Sequence, residues 1–126
     1  MAAAEAARSA EEMSGATERV VIREWHRVHL VRPDHIDWIE ADDNNVIARV
    51  GERIYKGRGR ISDLESQLDP ERFARIHRSA IVRIDCIAEL LPLARGGLAV
   101  RTHDGKMMRV SRSRRGALAT ALGVKL

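Results

Sequence analysis

Phe73-Ala74-Arg75-Ile76-His77-Arg78-Ser79-Ala80-Ile81-Val82, residues 73–82, is the stretch whose reading decides the fold. Ala80, Val82 and Ile84 alternate as on one side of a strand. Carried backward, the same alternation would bury position 78, and an unpaired buried arginine is costly. The strand is therefore expected to begin after it, with His77-Arg78-Ser79 in an exposed turn. Arginine, histidine and serine supply a planar fork, a ring edge and a short hydroxyl, all suited to phosphates and base edges. The alternative is that His77 and Ser79 merely cap the turn while Arg78 pairs with a carboxylate.

Outward from this stretch the pattern is one of short strands. On the N-terminal side, Val28, Leu30 and Val31 lead into the turn chemistry of Pro33-Asp34, and Ile36, Trp38 and Ile39 form a brief apolar cluster. Asp42 to Asn45 is a polar loop of residues that tolerate left-handed backbone. Val46, Ala48 and Val50 alternate with Ile47 and Arg49 as in a half-buried strand, and Gly51-Glu52 turns into a returning strand from Arg53 to Lys56. Ser62 to Leu68 reads as a helix, with Ser62 and Glu65 at capping-box spacing and Ile61, Leu64 and Leu68 on one face. On the C-terminal side, Ile87, Leu90 and Leu91 extend the apolar run to Pro92. Gly96-Gly97 and Asp104-Gly105 are hairpin signals bracketing a strand from Leu98 to Thr102, and Lys106 to Val110 pairs back. A last short helix is expected from about Arg112 to Leu122, with Leu118, Ala121 and Leu122 inward and Gly123 as its stop.

The chain of 126 residues has room for one domain with one core. Trp25, Trp38, Tyr55 and Phe73 are all of its aromatic residues, so the core must rest on Ile, Leu and Val, with Trp38 and Phe73 as large fillers. The single cysteine, Cys86, allows no intramolecular disulfide and no cysteine metal cluster, and its apolar setting suits a buried inert thiol. No apolar run is long enough to span a bilayer, and the N-terminus lacks a signal peptide's apolar core; a cytoplasmic protein with no membrane partner is expected. Residues 1–18 contain no Ile, Leu, Val or aromatic residue and are expected to be a disordered tail or linker, the folded domain occupying 19–126.

Charge is uneven. Setting aside the one basic and four acidic residues of 1–18 leaves 21 basic and 14 acidic residues, a net charge of +7 in place of +4. Arg49, Arg53, Lys56, Arg58 and Arg60 are interrupted only by Glu52, and from Lys106 to Leu126 there are six basic residues and no acidic one. Such clusters attract polyanions, of which nucleic acid is the commonest, although a merely solvated surface has the same look. Ser111-Arg112-Ser113-Arg114-Arg115 stands at the start of the last expected helix, where three arginines oppose the positive end of the helix dipole. N–H donors and guanidinium groups presented together suit an external anion such as phosphate, and the alternative is an irregular basic tail. The Asp42 to Asn45 loop with Arg58 and Arg60 is a third, weaker constellation, in which Asn45 could read an adenine edge.

Enzymatic readings fare poorly. His26 and His29 would point to opposite faces of a strand, His77 and Ser79 are too close in sequence to act as base and nucleophile, and Gly57 and Gly59 lack the strand-then-helix context of a phosphate loop. No catalytic residue, metal or cofactor is expected.

The order and spacing of these residues resemble the LytTR family, the DNA-binding output domain of bacterial response regulators. The resemblance is carried by Asp37-Trp38-Ile39-Glu40-Ala41, by Asn44 and Val46, by Arg58, Ile61, Leu64-Glu65 and Leu68, by Phe73 to Val82, and by Asp104-Gly105 with Val110-Ser111-Arg112, spanning about residues 28–122. It implies a mainly β, antiparallel fold of several small sheets with one or two short helices. It also implies a transcriptional regulator that inserts loops into the major groove of double-stranded DNA at promoter direct repeats, as a monomer or weak dimer. Three contact loops follow by position: Asn44, Asn45 and Val46, with Arg58 beside them; His77, Arg78 and Ser79; and Ser111, Arg112, Ser113, Arg114 and Arg115. The sequence departs from the family at Asn45, where Tyr is frequent, and at Arg83, where Asn is frequent. The family's usual receiver domain is absent from these residues, so regulation is expected from a receiver supplied elsewhere or from a partner protein. The competing expectation is a protein-interaction module that kept the fold without DNA binding, with Leu90-Leu91 as its surface.

Overall fold

The computed structural model describes residues 19–125, so the tail expected over 1–18 lies outside the described residues. Among the described residues, ten strands and two short α-helices follow in order: β1 (Val20–Arg23), β2 (Val28–Val31), β3 (Ile36–Asp42), β4 (Asn45–Val50), β5 (Arg53–Arg58), α1 (Ile61–Glu65), β6 (Phe73–His77), β7 (Ala80–Arg83), β8 (Ile87–Pro92), β9 (Leu98–Thr102), β10 (Met107–Arg109) and α2 (Arg115–Leu122). Every strand pairing is antiparallel.

Strand β7 explains why the quoted stretch is decisive. It is internal to a seven-stranded sheet of order β2-β1-β5-β4-β3-β7-β6, and both its faces are buried. Ile81 enters one core with Ile39, Val46 and Ala48, closed over by Ile61 and Leu64 of α1 and by Leu68. Ala80 and Val82 enter a second core on the opposite face with Trp38 and Ile76, where Val100, Met108 and Leu118 cover them from β9, β10 and α2. The second cover is the three-stranded sheet β10-β9-β8. The several small sheets anticipated from the resemblance are thus two, because Trp38↔Val82, Ile39↔Ile81 and Glu40↔Ala80 zip the β3–β4–β5 meander onto the β6–β7 hairpin. Burying one Ile or Val in this way stabilises the fold by roughly 1.5–3 kcal/mol.

Several local expectations are corrected. The α1 helix begins at Ile61 after Arg60, and no side chain caps it; Ser62 lies inside it and the capping box does not form. Glu65 is drawn instead to Arg75, while a turn continues the chain so that Leu68 is still buried. The final helix is a 3-10 turn over Arg112–Arg114 followed by α2, again without a side-chain cap. Gly123 stops it with φ of 70°, as expected, and Leu118 is buried, but Ala121 faces solvent. Strand β1 was not anticipated. Leu90-Leu91 is half-buried, with Leu90 packed on the second core, which leaves it poorly placed as a free apolar surface. Trp38 and Phe73 are buried fillers, and burial pushes the Cys86 thiol up to about 11, keeping it protonated and inert at neutral pH.

At the end of the sheet away from the β3–β4 and β6–β7 turns, Asp104 clasps the two sheets together. It accepts from the Trp38 indole N–H at 3.3 Å and from the Thr102 hydroxyl, and it pairs with Arg49 at 3.2 Å. Arg83, at one of the family departures, belongs to this same end: its Nε donates to the Ile36 carbonyl at 2.8 Å and Nη2 to Asp37 at 3.1 Å. Burial pushes the Asp104 carboxyl up, but the Thr102 and Trp38 hydrogen bonds and the Arg49 charge outweigh it and hold the group below its ordinary value. A depressed carboxyl contributes stability above the unfolded value, near 3.9, and loses it as pH falls through the folded one. Asp104→Ala is therefore expected to cost about 1–3 kcal/mol at pH 7. The difference from wild type in urea melts should shrink below about pH 4; a difference constant with pH would show that the charge of Asp104 is not what matters.

Candidate nucleic-acid interface

Strand register gathers the basic turns at the other end. Arg23 lies opposite Arg58, Arg58 opposite Asn45, and Asn45 opposite Asp42. The Ala41 N–H donates to the Ser79 carbonyl at 2.9 Å, which brings the β6–β7 turn alongside. The Ser111 N–H donates to the Ile76 carbonyl at 2.8 Å and adds the segment before α2. Five strand spacings separate β1 from β6, about 24 Å at ~4.8 Å each. The end is therefore a row of turns running Trp25-His26, Gly59-Arg60, Asp43-Asn44, Arg78-Ser79 and Ser111 to Arg115.

The β6–β7 turn is the most strongly built. The His77 Nδ1 accepts from the Ser79 N–H at 3.2 Å and from its hydroxyl at 2.9 Å. With Nδ1 accepting, the neutral ring carries its proton on Nε2 and offers that N–H as a donor. His77 and Ser79 thus do cap the turn, as the alternative had it, but Arg78 pairs with no carboxylate: at the exposed tip its guanidinium meets no partner among the described residues. Beneath the tip lies Arg75, whose side chain is only 12% exposed. Its Nε donates to the His77 carbonyl at 2.8 Å, its Nη2 to the Arg78 carbonyl at 2.5 Å and its Nη1 to Glu65 at 2.5 Å. One planar fork therefore ties the turn to α1. Sequence reasoning missed this brace, although strand parity puts Arg75 opposite Ile81, on a buried face where an arginine must find acceptors.

In the β3–β4 turn, Asp43 takes a left-handed φ of 58°, as its residue type allows. Asn44 is exposed, its carbonyl accepting the Gly59 N–H at 2.8 Å, and Asn45 is half-buried beside Arg58. Val46 is corrected: its side chain is 2% exposed in the first core and cannot touch a ligand. Arg58 is exposed and stands 4.0 Å over the Trp25 ring.

The segment from Ser111 divides its arginines between outside and inside. Arg112 and Ser113 are exposed and Arg114 is half-buried. The Arg115 Nη2 donates to the Gly96 carbonyl, and its Nε is buried without a partner. Arg112 also reaches the Arg95 carbonyl at 3.4 Å. Together they hold the β8–β9 turn, where Arg95 sits exposed in left-handed backbone with φ of 61°. A non-glycine residue in that region is uncommon, and Gly96-Gly97 signalled the turn without signalling that it would deliver Arg95 to the basic row. No three His, Cys, Asp or Glu side chains are grouped to hold a metal among the described residues: His26 lies at the β1–β2 tip and His29 donates to Glu24 at 2.9 Å. No helix among the described residues is long and apolar enough to cross a membrane.

An antiparallel β domain that gathers its cations on the turns at one end defines the class. The family model of the LytTr DNA-binding domain matches residues 26–123. The chain is 28% identical over 102 residues to the sensory transduction protein LytT of Enterococcus faecalis, spanning 81% of this chain but only 42% of that protein. A solved LytTr DNA-binding domain from Bacillus cereus superposes with a TM-score of 0.72 at 22% identity, over 84% of this chain and 97% of that one. The chain belongs to the LytTR family, a family of DNA-binding domains and not a class of enzymes.

Proposed function

We propose that this domain binds double-stranded DNA sequence-specifically, at paired direct repeats in promoters, and serves as the output of a transcriptional regulator. The observation that carries the reading is the row of basic turns on one end, with Arg78 free at a braced tip. Arg78, with the His77 Nε2–H beside it, is the better placed to read base edges in the major groove, since a guanidinium fork matches guanine O6 and N7. Asn45 with Arg58 forms a second contact and Arg112 with Arg114 a third, the last two arginines anchoring phosphates. Arg115 supports this surface from behind through Gly96, and Arg95 extends it. Regulatory input comes from a receiver domain or partner protein, and two domains meet on DNA through the repeat spacing without a stable free dimer.

Selection of bound sequences from a random duplex pool tests this reading, with a repeated motif at fixed spacing as the expected outcome. On the selected duplex, Arg78→Ala should weaken specific binding about tenfold to a hundredfold, since a base-edge contact is worth ~1–3 kcal/mol. Non-specific affinity should change much less. Equal losses on both would make Arg78 a phosphate contact, and no loss on either would remove it from the interface.

A further inference from the structure

The β1–β2 tip is left over from the three expected contacts. Trp25 is 77% exposed, whereas Trp38 is 5% exposed and held in the core. So large an apolar side chain at a solvent-facing tip bears no packing load. The tip is nevertheless ordered: the Glu24 N–H donates to the Arg27 carbonyl at 2.9 Å, and the Glu24 carboxylate is occupied by Arg27 at 3.7 Å and His29 at 2.9 Å. Trp25 carries Arg58 over its ring at 4.0 Å, and the Arg58 guanidinium has no hydrogen-bond acceptor among the described residues. The hairpin is locked against β5 where the chain comes closest, at Gly57; a Cβ there would lie 2.6 Å from Ile22 and 3.0 Å from the Arg23 carbonyl. A groove joins Trp25 and Arg58 to Asn45, and a second one continues from Asn45 and Arg58 to Arg23 and Arg60.

We infer that Trp25 is a fourth contact, which extends the Asn45–Arg58 contact onto the sugar-phosphate backbone of duplex DNA beyond the bases met by the β3–β4 turn. The inference rests on the DNA-binding reading above. Duplex DNA keeps its base faces stacked, so a tryptophan approaching from outside meets deoxyribose C–H groups, while the guanidinium on its ring meets phosphate. Charge and continuity favour this occupant: Arg23, Arg58 and Arg60 line the groove, and it runs directly into the Asn45 turn. Such a contact adds affinity and extends the footprint without adding base preference.

Trp25 itself reports on this. With Trp38 buried, acrylamide quenching of tryptophan fluorescence in the free protein comes from Trp25, and binding of a selected duplex with flanking base pairs should protect it. Trp25→Ala should weaken binding to that duplex about threefold to tenfold, since it removes the ring that seats Arg58. Specific and non-specific duplexes should suffer alike. Trimming the flank next to the Asn45 contact should abolish the difference between variant and wild type. If wild type binds the duplex while Trp25 stays as quenchable as before, or if Trp25→Ala binds as tightly as wild type, the fourth contact is wrong and the three-loop reading stands. Protection by single-stranded DNA in preference to duplex would also overturn it, in favour of base stacking. Failure of wild type to bind any duplex would remove both readings together.

Discussion

Raising the salt from 50 to 200 mM is expected to weaken the complex with duplex DNA about a thousandfold or more, because about six neutralised phosphates each release counterions from the duplex. The cations stand ready at one end: Arg23, Arg58 and Arg60 along the β1 and β5 ends, Arg78 at the β6–β7 tip, and Arg95, Arg112 and Arg114 beyond it. Few acids oppose them. Glu24 is already engaged by Arg27 and His29, and Asp42 lies 3.9 Å from Lys56, leaving exposed Asp43 and Asp63 as the repulsive groups, the latter beside Arg23, Arg58 and Arg60. A log–log plot of affinity against salt measures the effect, with a slope of roughly −5 for six contacts on B-form DNA. A slope near zero would turn the reading toward a module that recognises protein, since exposed ion pairs between proteins carry no such counterion term.

Arg75→Met should be the most damaging substitution of a residue that touches no DNA. Methionine fills much of the same space but leaves the His77 and Arg78 carbonyls and the Glu65 carboxylate without their shared donor. Hydrogen bonds involving a charged group contribute about 1.5–3 kcal/mol each, and Glu65 is 42% exposed and so partly rescued by water. A net loss of about 2–4 kcal/mol in urea melts is expected on those terms. Arg75→Lys should recover less than half of this, because a single ammonium cannot serve three acceptors spread around a planar fork. Where the variants remain folded, the ratio of specific to non-specific affinity should fall, since the tip loses its fixed geometry. An unchanged melting midpoint for Arg75→Met would show that the brace contributes nothing.

How much of this was legible depended on whether the cause was local. Hairpin signals at Asp104-Gly105 and Gly96-Gly97, the alternation in Val46 to Val50, and Gly123 as a helix stop are all local, and each held. The exposure of Arg78 followed from the cost of burying it. What failed was settled by partners distant in sequence. The capping box between Ser62 and Glu65 lost to an ion pair with Arg75, ten residues on. Val46 was placed at a contact by resemblance, but strand parity sends it inward with Ala48. Strand β1 is short and flanked by charges, and it pairs over its whole length with β2 while joining the sheet only at Arg23 opposite Arg58. The merging of two hairpins into one sheet needs the β3–β7 register, which no local pattern encodes.

The braced β6–β7 tip separates what shapes it from what it presents. What shapes the turn is His77, Ser79 and Arg75, acting through main-chain carbonyls, one ring nitrogen and one N–H. What faces outward is the side chain of Arg78, which the turn does not use. Exchanging an exposed side chain of this kind usually alters stability by no more than about 0.5 kcal/mol. On the proposed reading, shape and base preference are thereby uncoupled at a single position, and exchanging Arg78 should change the preferred site while the scaffold beneath stays the same.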